Sequence, residues 1–272
     1  MERVAVDGLE LAYELRGDGE PVVLIHWGVG TAWAAPLLDQ PALADLHRLL
    51  SYHRAGYGES DRADGPLGMA DHARHCRGLM DALGIERAHV AGHSSSAMVA
   101  LQLAADFPEA VQSLALLEPA RPAPQTEIQA AFLRDFVGPA IQRYREGDTE
   151  GAVDTWCRGV FGPDYRAPLD AGLPGAFEQT VAEAPAFFTQ ELPAVQQWTF
   201  TADDARRVTQ PAVILVGGES VPTFAERRDL LLSWLPNAEA ADLPGATHLL
   251  HLQDPAGVAE LLAGFFARHT LR

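Results

Sequence analysis

Gly92-His93-Ser94-Ser95-Ser96 lies between the apolar run Ala88-His89-Val90-Ala91 and the helix-like stretch Ala97 to Phe107. A strand that must turn sharply into a helix at a serine holds that serine on a tight bend, with its hydroxyl raised clear of the sheet. The bend crowds the positions two before and two after the serine, which here are Gly92 and Ser96. Ser96 stands where a G-x-S-x-G pattern has its second glycine, a departure tolerated at some steric cost. The chemistry this arrangement permits is nucleophilic attack by the Ser94 hydroxyl. A serine-rich helix cap would draw on the same residue types, so the rest of the chain must decide.

A serine hydroxyl is a poor nucleophile at neutral pH unless a base takes its proton, and histidine has the pKa for that work. Of ten histidines, His248 is the candidate by position. It sits in Leu243-Pro244-Gly245-Ala246-Thr247-His248, after the last strand-like run and before the terminal helix. His251 is the runner-up, His93 fills the bend, and His26 is expected to brace its loop by hydrogen bonding. Attack on a carbonyl also needs donors aimed at the developing oxyanion. The backbone N–H of Ser95 supplies one, and Gly28, in His26-Trp27-Gly28-Val29-Gly30, is expected to supply the other. Trp27 is expected to project toward the substrate.

The elements that must position these residues follow from period. Val4 to Val6 and Leu9 to Leu15, joined at Asp7-Gly8, predict a hairpin. Val22–His26, Leu49–His53, His89–His93, Leu114–Leu117, Ala212–Val216 and Ala238–Leu243 are short runs suited to strands buried on both faces. Helical candidates fall between them around Trp33–Leu43, Ala70–Leu83, Ala97–Phe107, Thr223–Leu235 and Pro255–Arg268. An antiparallel start followed by β-α alternation predicts an α/β fold: a mostly parallel, eight-stranded sheet with helices on both sides and its site at the carboxyl ends of the strands. From about Arg121 to Arg206 the alternation stops, and Gln125–Arg145, Asp148–Val160 and Leu173–Phe188 read as helices. The expected organisation is a core of residues 1–120 and 207–272 with a helical cap over 121–206. Trp156, Phe187 and Trp198 are expected to join Trp27 in lining an apolar substrate cavity.

Composition narrows the alternatives. A net charge of −17 argues against nucleic acid and against anionic membranes as partners. All 20 positive side chains are arginine, which removes Schiff-base chemistry. Cys76 and Cys157 match no metal or redox spacing, and neither a metal nor an organic cofactor is expected. The opening Met1-Glu2-Arg3-Val4 contains no apolar leader-like run, and cytoplasmic residence is the expectation.

Taken together, the serine bend, His26-Trp27-Gly28, Arg54-Ala55-Gly56-Tyr57-Gly58-Glu59-Ser60-Asp61 and Pro244-Gly245-Ala246-Thr247-His248 resemble the α/β-hydrolase fold family over nearly the whole chain. Most members carry the acid that orients the histidine after the seventh strand. Here Val216-Gly217-Gly218-Glu219-Ser220 has a serine at the matching position. Some relatives, including zearalenone-type lactone hydrolases, carry a carboxylate after strand six, and the resemblance implies Glu118 in that role, with Glu219 as the backup. A serine in place of the aspartate nucleophile of haloalkane dehalogenases and epoxide hydrolases disfavours those reactions. The resemblance thus implies hydrolysis of a small apolar carboxylic ester or lactone through an acyl-enzyme. Carbon-carbon bond hydrolysis and ligand binding on a hydrolase scaffold remain the alternatives.

Overall fold

The structure, a computed structural model, describes residues 1–27 and 29–271. Asp7-Gly8 takes positive φ at both residues and closes a hairpin between β1 (Glu2–Val6) and β2 (Leu9–Arg16). Six further strands follow: β3 (Glu20–Ile25), β4 (His47–Tyr52), β5 (Ala88–His93), β6 (Val111–Leu117), β7 (Ala212–Gly217) and β8 (Ala238–Leu243). They form one eight-stranded sheet in the order β1-β2-β4-β3-β5-β6-β7-β8. β1 and β2 are antiparallel to their neighbours, and every pairing from β4 to β8 is parallel.

Helices on both faces bury the central strands: every residue of β5 and β7 is buried, β7 is wholly small or apolar, and β5 is so apart from His89 and His93. β8 departs from the expectation of two buried faces. It is an edge strand whose Glu239, Ala240 and Asp242 are exposed or half-exposed, since only one neighbour covers it. One predicted helix is also broken. Trp33–Leu43 resolves into two single turns, Ala35–Leu38 and Pro41–Ala44, because Pro41 has no N–H to donate and holds Gln40 extended at ψ 123°. The other core helices, Met69–Ala82, Ser95–Asp106, Pro222–Trp234 and Pro255–Arg268, fall within two residues of the periodic runs.

Between β6 and β7 the chain makes only helices. They include Thr149–Phe161 and Ala176–Ala186, and two π-helical turns, Leu133–Val137 and Phe187–Glu191. This insertion shares an apolar cluster with residues at the carboxyl end of the sheet: Val153, Phe161 and Phe187 pack with Trp33, Phe224 and Leu249. Among the described residues no helix is long and apolar enough to cross a membrane.

Candidate active site

The bend after β5 has the backbone that the pentapeptide predicts. Ser94 sits at φ 57°, ψ −118°, a conformation costly for a residue with a side chain and sustained by its surroundings. Its N–H donates to Leu117 O (2.9 Å), and its carbonyl accepts from Ala97 N (3.2 Å) and Ala120 N (3.1 Å). The helix Ser95–Asp106 then leaves at once. A Cβ on Gly92 would meet Ser96 O at 2.4 Å and Ala97 N at 2.8 Å, so this position accepts only glycine. At Ser96 the extra hydroxymethyl is accommodated by a hydrogen bond to His26 O, which ties the bend to the loop after β3.

Glu118 follows β6 directly and also has positive φ, 44°. Its carboxyl group is fully buried. Oε2 meets His248 Nδ1, while Oε1 accepts from Gly217 N (2.7 Å) and from the Ser220 hydroxyl. Ser220 is the residue at the position where the sequence lacks an acid, and its hydroxyl is bonded to the Glu118 carboxylate. Glu219, the alternative acid, is exposed, so it does not share this site; only its backbone N–H is engaged, with Ala246 O. Burial pushes the Glu118 carboxyl up to about 7, against the two donors and the Arg227 charge, which favour the carboxylate.

His248 is buried between two aromatic faces. Phe224 stacks on it at 4.1 Å between centroids and Phe161 at 5.5 Å, and His93 Nε2–H donates to its carbonyl (3.0 Å). Burial and the Arg227 charge hold the imidazole well below its ordinary pKa, so it is a free base at neutral pH. With Nδ1–H facing Glu118, the Nε2 lone pair is left for a proton from elsewhere. No hydrogen bond joins it to the Ser94 hydroxyl, although Ser94 and His248 line the same cavity.

That cavity has two arms that meet at Ser94, Ala120, Trp156 and Leu192. One is walled by Trp33, Trp156, Phe161, Phe187 and His248. The other is lined by Phe132 and Phe224 but also by Arg121, Gln129 and Arg227. Trp156 and Phe187 therefore line the site.

Trp27 and Trp198 do not line it. The Trp27 side chain is fully buried in an apolar cluster with Leu37, Leu250 and Phe266, against the rings of His93 and His251. Trp198 stacks on Phe200 at 5.1 Å, donates to Gln102 Oε1 (2.8 Å), and borders a separate surface groove. Gly28 lies outside the described residues. Ser95 begins its helix, where the first N–H groups have no intrahelical acceptor. The His26 ring is fully buried, packs edge-on against Tyr57 at 4.6 Å, and faces the Gly30 backbone of its own loop, as the bracing role requires. His251 packs beside His93, 4.7 Å between centroids, and does not reach Glu118.

Sequence reasoning missed a buried ionic group beside the bend. Glu191, in a π-helical turn of the insertion, accepts from Arg54 Nη2 (2.8 Å), from the Tyr57 hydroxyl and from the Ser95 hydroxyl. Arg54 and Glu191 are both almost fully buried. The four residues come from three stretches far apart in sequence, and only the fold brings the insertion down onto Arg54, Tyr57 and the residue after Ser94.

Residues 22–261 match the model of the alpha/beta hydrolase family. The chain belongs to that family. Over 261 residues it is 28% identical to a protein of Azorhizobium caulinodans named a putative carbamate hydrolase, RutD, covering 94% of each chain. Among solved structures it resembles a thermophilic esterase from Thermogutta terrifontis, with TM-score 0.83 at 20% identity over 99% of this chain and all of the other. It also resembles the enol-lactonase from Burkholderia xenovorans, with TM-score 0.82 at 22% identity over 97% of this chain and 99% of the other. At these identities the two structures speak to the fold.

Proposed function

We propose that this α/β hydrolase is a serine hydrolase that cleaves a carboxylic ester or lactone through an acyl-enzyme. Ser94 is the nucleophile, His248 the general base and acid, and Glu118 the orienting carboxylate. The observation that carries the reading is the pairing of Glu118 Oε2 with His248 Nδ1 at the wall of a cavity that also holds Ser94 on its positive-φ bend.

In this reaction Ser94 Oγ adds to the substrate carbonyl carbon while His248 Nε2 takes the hydroxyl proton. The tetrahedral oxyanion is met by the Ser95 N–H and a second donor from the loop that holds Gly28. As the carbonyl re-forms, the bond to the leaving oxygen breaks and His248 returns its proton to the alcohol. Water then repeats the sequence on the acyl group and frees the acid and Ser94. Glu118 keeps Nδ1–H pointed away from the serine and offsets the imidazolium charge. Residues 121–206 act as a cap that shapes the cavity and limits water.

The relative named a putative carbamate hydrolase widens the class, because a carbamate carbonyl could be attacked by the same three groups. The experiment is a stopped-flow comparison of p-nitrophenyl butyrate with p-nitrophenyl N-butylcarbamate. A burst of nitrophenolate stoichiometric with enzyme and steady turnover of the ester support the proposal. Turnover confined to the carbamate would move the substrate class, and no burst with either would remove the acyl-enzyme.

A further inference from the structure

Resting on the reading of this site as a serine hydrolase, we infer that the substrate carries a carboxylate, held by Arg121 and Arg227 in the polar arm of the cavity. The preferred substrates are accordingly monoesters of short dicarboxylic acids. The chain as a whole carries a charge of −17, yet this arm is lined by two guanidinium groups and no carboxylate. Arg227 is buried on the helix after β7, and Arg121 is half-buried just past β6. Among the described residues neither has an acid within ion-pair distance. Two carboxylates act on Arg227 from beyond that distance: Glu118, committed to His248, Gly217 and Ser220, and Glu226, which accepts from the Thr126 hydroxyl.

What Arg227 does contact is neutral. Its Nη2 donates to Gln129 Oε1 (2.8 Å), which also accepts from Thr223 Oγ1 (2.7 Å), and its guanidinium lies 5.0 Å from the Phe224 ring and 5.7 Å from the Phe132 ring. These contacts fix the plane of the guanidinium without neutralising it, and its buried Nε has no acceptor. Arg121 makes no side-chain hydrogen bond among the described residues and faces the same arm. Burial and the Arg121 charge lower the Arg227 pKa to about 9, so it remains a cation at neutral pH. Two cations held near each other in an apolar cleft are costly until an anion joins them, and guanidinium forks suit a carboxylate.

The orientation follows from the arms. His248, which protonates the leaving oxygen, lines the aromatic arm, so the alcohol leaves there and the acyl chain with its free carboxylate extends toward the arginines.

The test measures binding to the Ser94→Ala protein by calorimetry, which does not depend on turnover. The probes are the monobutyl esters of succinate, glutarate and adipate, each against its neutral butyl methyl diester. The best-fitting monoester should bind at least about tenfold more tightly than its diester, as expected for a charge-assisted pair in a partly dry site. Arg227→Met, and independently the half-exposed Arg121→Gln, should each erase that preference in the same background. Equal affinities for acid and diester, or a preference that survives both substitutions, would overturn the inference. If wild-type protein binds the monoester with this preference but never cleaves it, the anion subsite stands and the hydrolase reading falls.

Discussion

Ser220 donates its hydroxyl to one oxygen of Glu118 while the other oxygen of the same carboxylate holds His248 Nδ1. A position that reads as a lost acid thus holds a hydroxyl bonded to the Glu118 carboxylate. Glu118→Gln keeps the shape and removes the charge that orients the imidazole. The expected outcome is an unchanged melting profile with kcat lowered by about 10²- to 10⁴-fold. Activity equal to wild type would remove Glu118 from the mechanism.

The proximity of Ser220 to Glu118 makes a rescue possible. In the Glu118→Gln background, Ser220→Asp places a carboxylate on the loop after β7, within reach of the same imidazole. Hydrolysis of a neutral p-nitrophenyl ester should recover by about tenfold or more over the single variant, as expected when a charge-assisted partner is restored to the imidazole. In the wild-type background the same substitution sets two buried carboxylates against each other and should lower activity.

The pH dependence follows from the direction of two shifts. His248 is held well below its usual value and stays neutral across the working range, whereas Glu118 is raised to about 7 by burial. As pH falls through about 7, Glu118 gains a proton and stops stabilising the imidazolium, so kcat/KM falls. A neutral ester should therefore show a rate that climbs through pH 7 to an alkaline plateau. A flat profile down to pH 5 would contradict this assignment.

Much of this was legible in the sequence because it is local. The Gly92 to Ser96 bend, the hairpin at Asp7-Gly8 and the terminal helix Pro255–Arg268 each follow from neighbouring residues. Glu118 could be inferred only through resemblance, and its contacts with Ser220 and Gly217 span about a hundred residues. The direction of a tryptophan was not legible at all. Trp27 and Trp156 are equally large and apolar, yet one is packed into a core cluster and the other lines the cavity, a difference of side-chain facing that no composition records. The convergence of Arg121 and Arg227 on one cavity arm was not legible either, because they lie about a hundred residues apart and only the fold brings both to its wall.

The buried Arg54–Glu191 pair makes a prediction about stability. Glu191→Gln leaves the Arg54 guanidinium buried beside Tyr57 and Ser95 without a counter-charge. Urea unfolding should show a loss of about 3–5 kcal/mol, whereas Ser95→Ala, which removes one hydrogen bond to the same carboxylate, should cost about 1 kcal/mol. If Glu191→Gln is as mild as Ser95→Ala, the pair is not the joint between the insertion and the sheet.

The central claim is that Ser94, His248 and Glu118 act as one relay, and active-site labelling tests it most directly. Intact-mass spectrometry of the protein treated with a fluorophosphonate at neutral pH should show a single adduct, mapped to the peptide containing Ser94. Ser94→Ala should take up none, and Glu118→Gln should label at least about tenfold more slowly, since the base is no longer oriented. An unlabelled wild-type protein, or an adduct that persists in Ser94→Ala, would contradict the account.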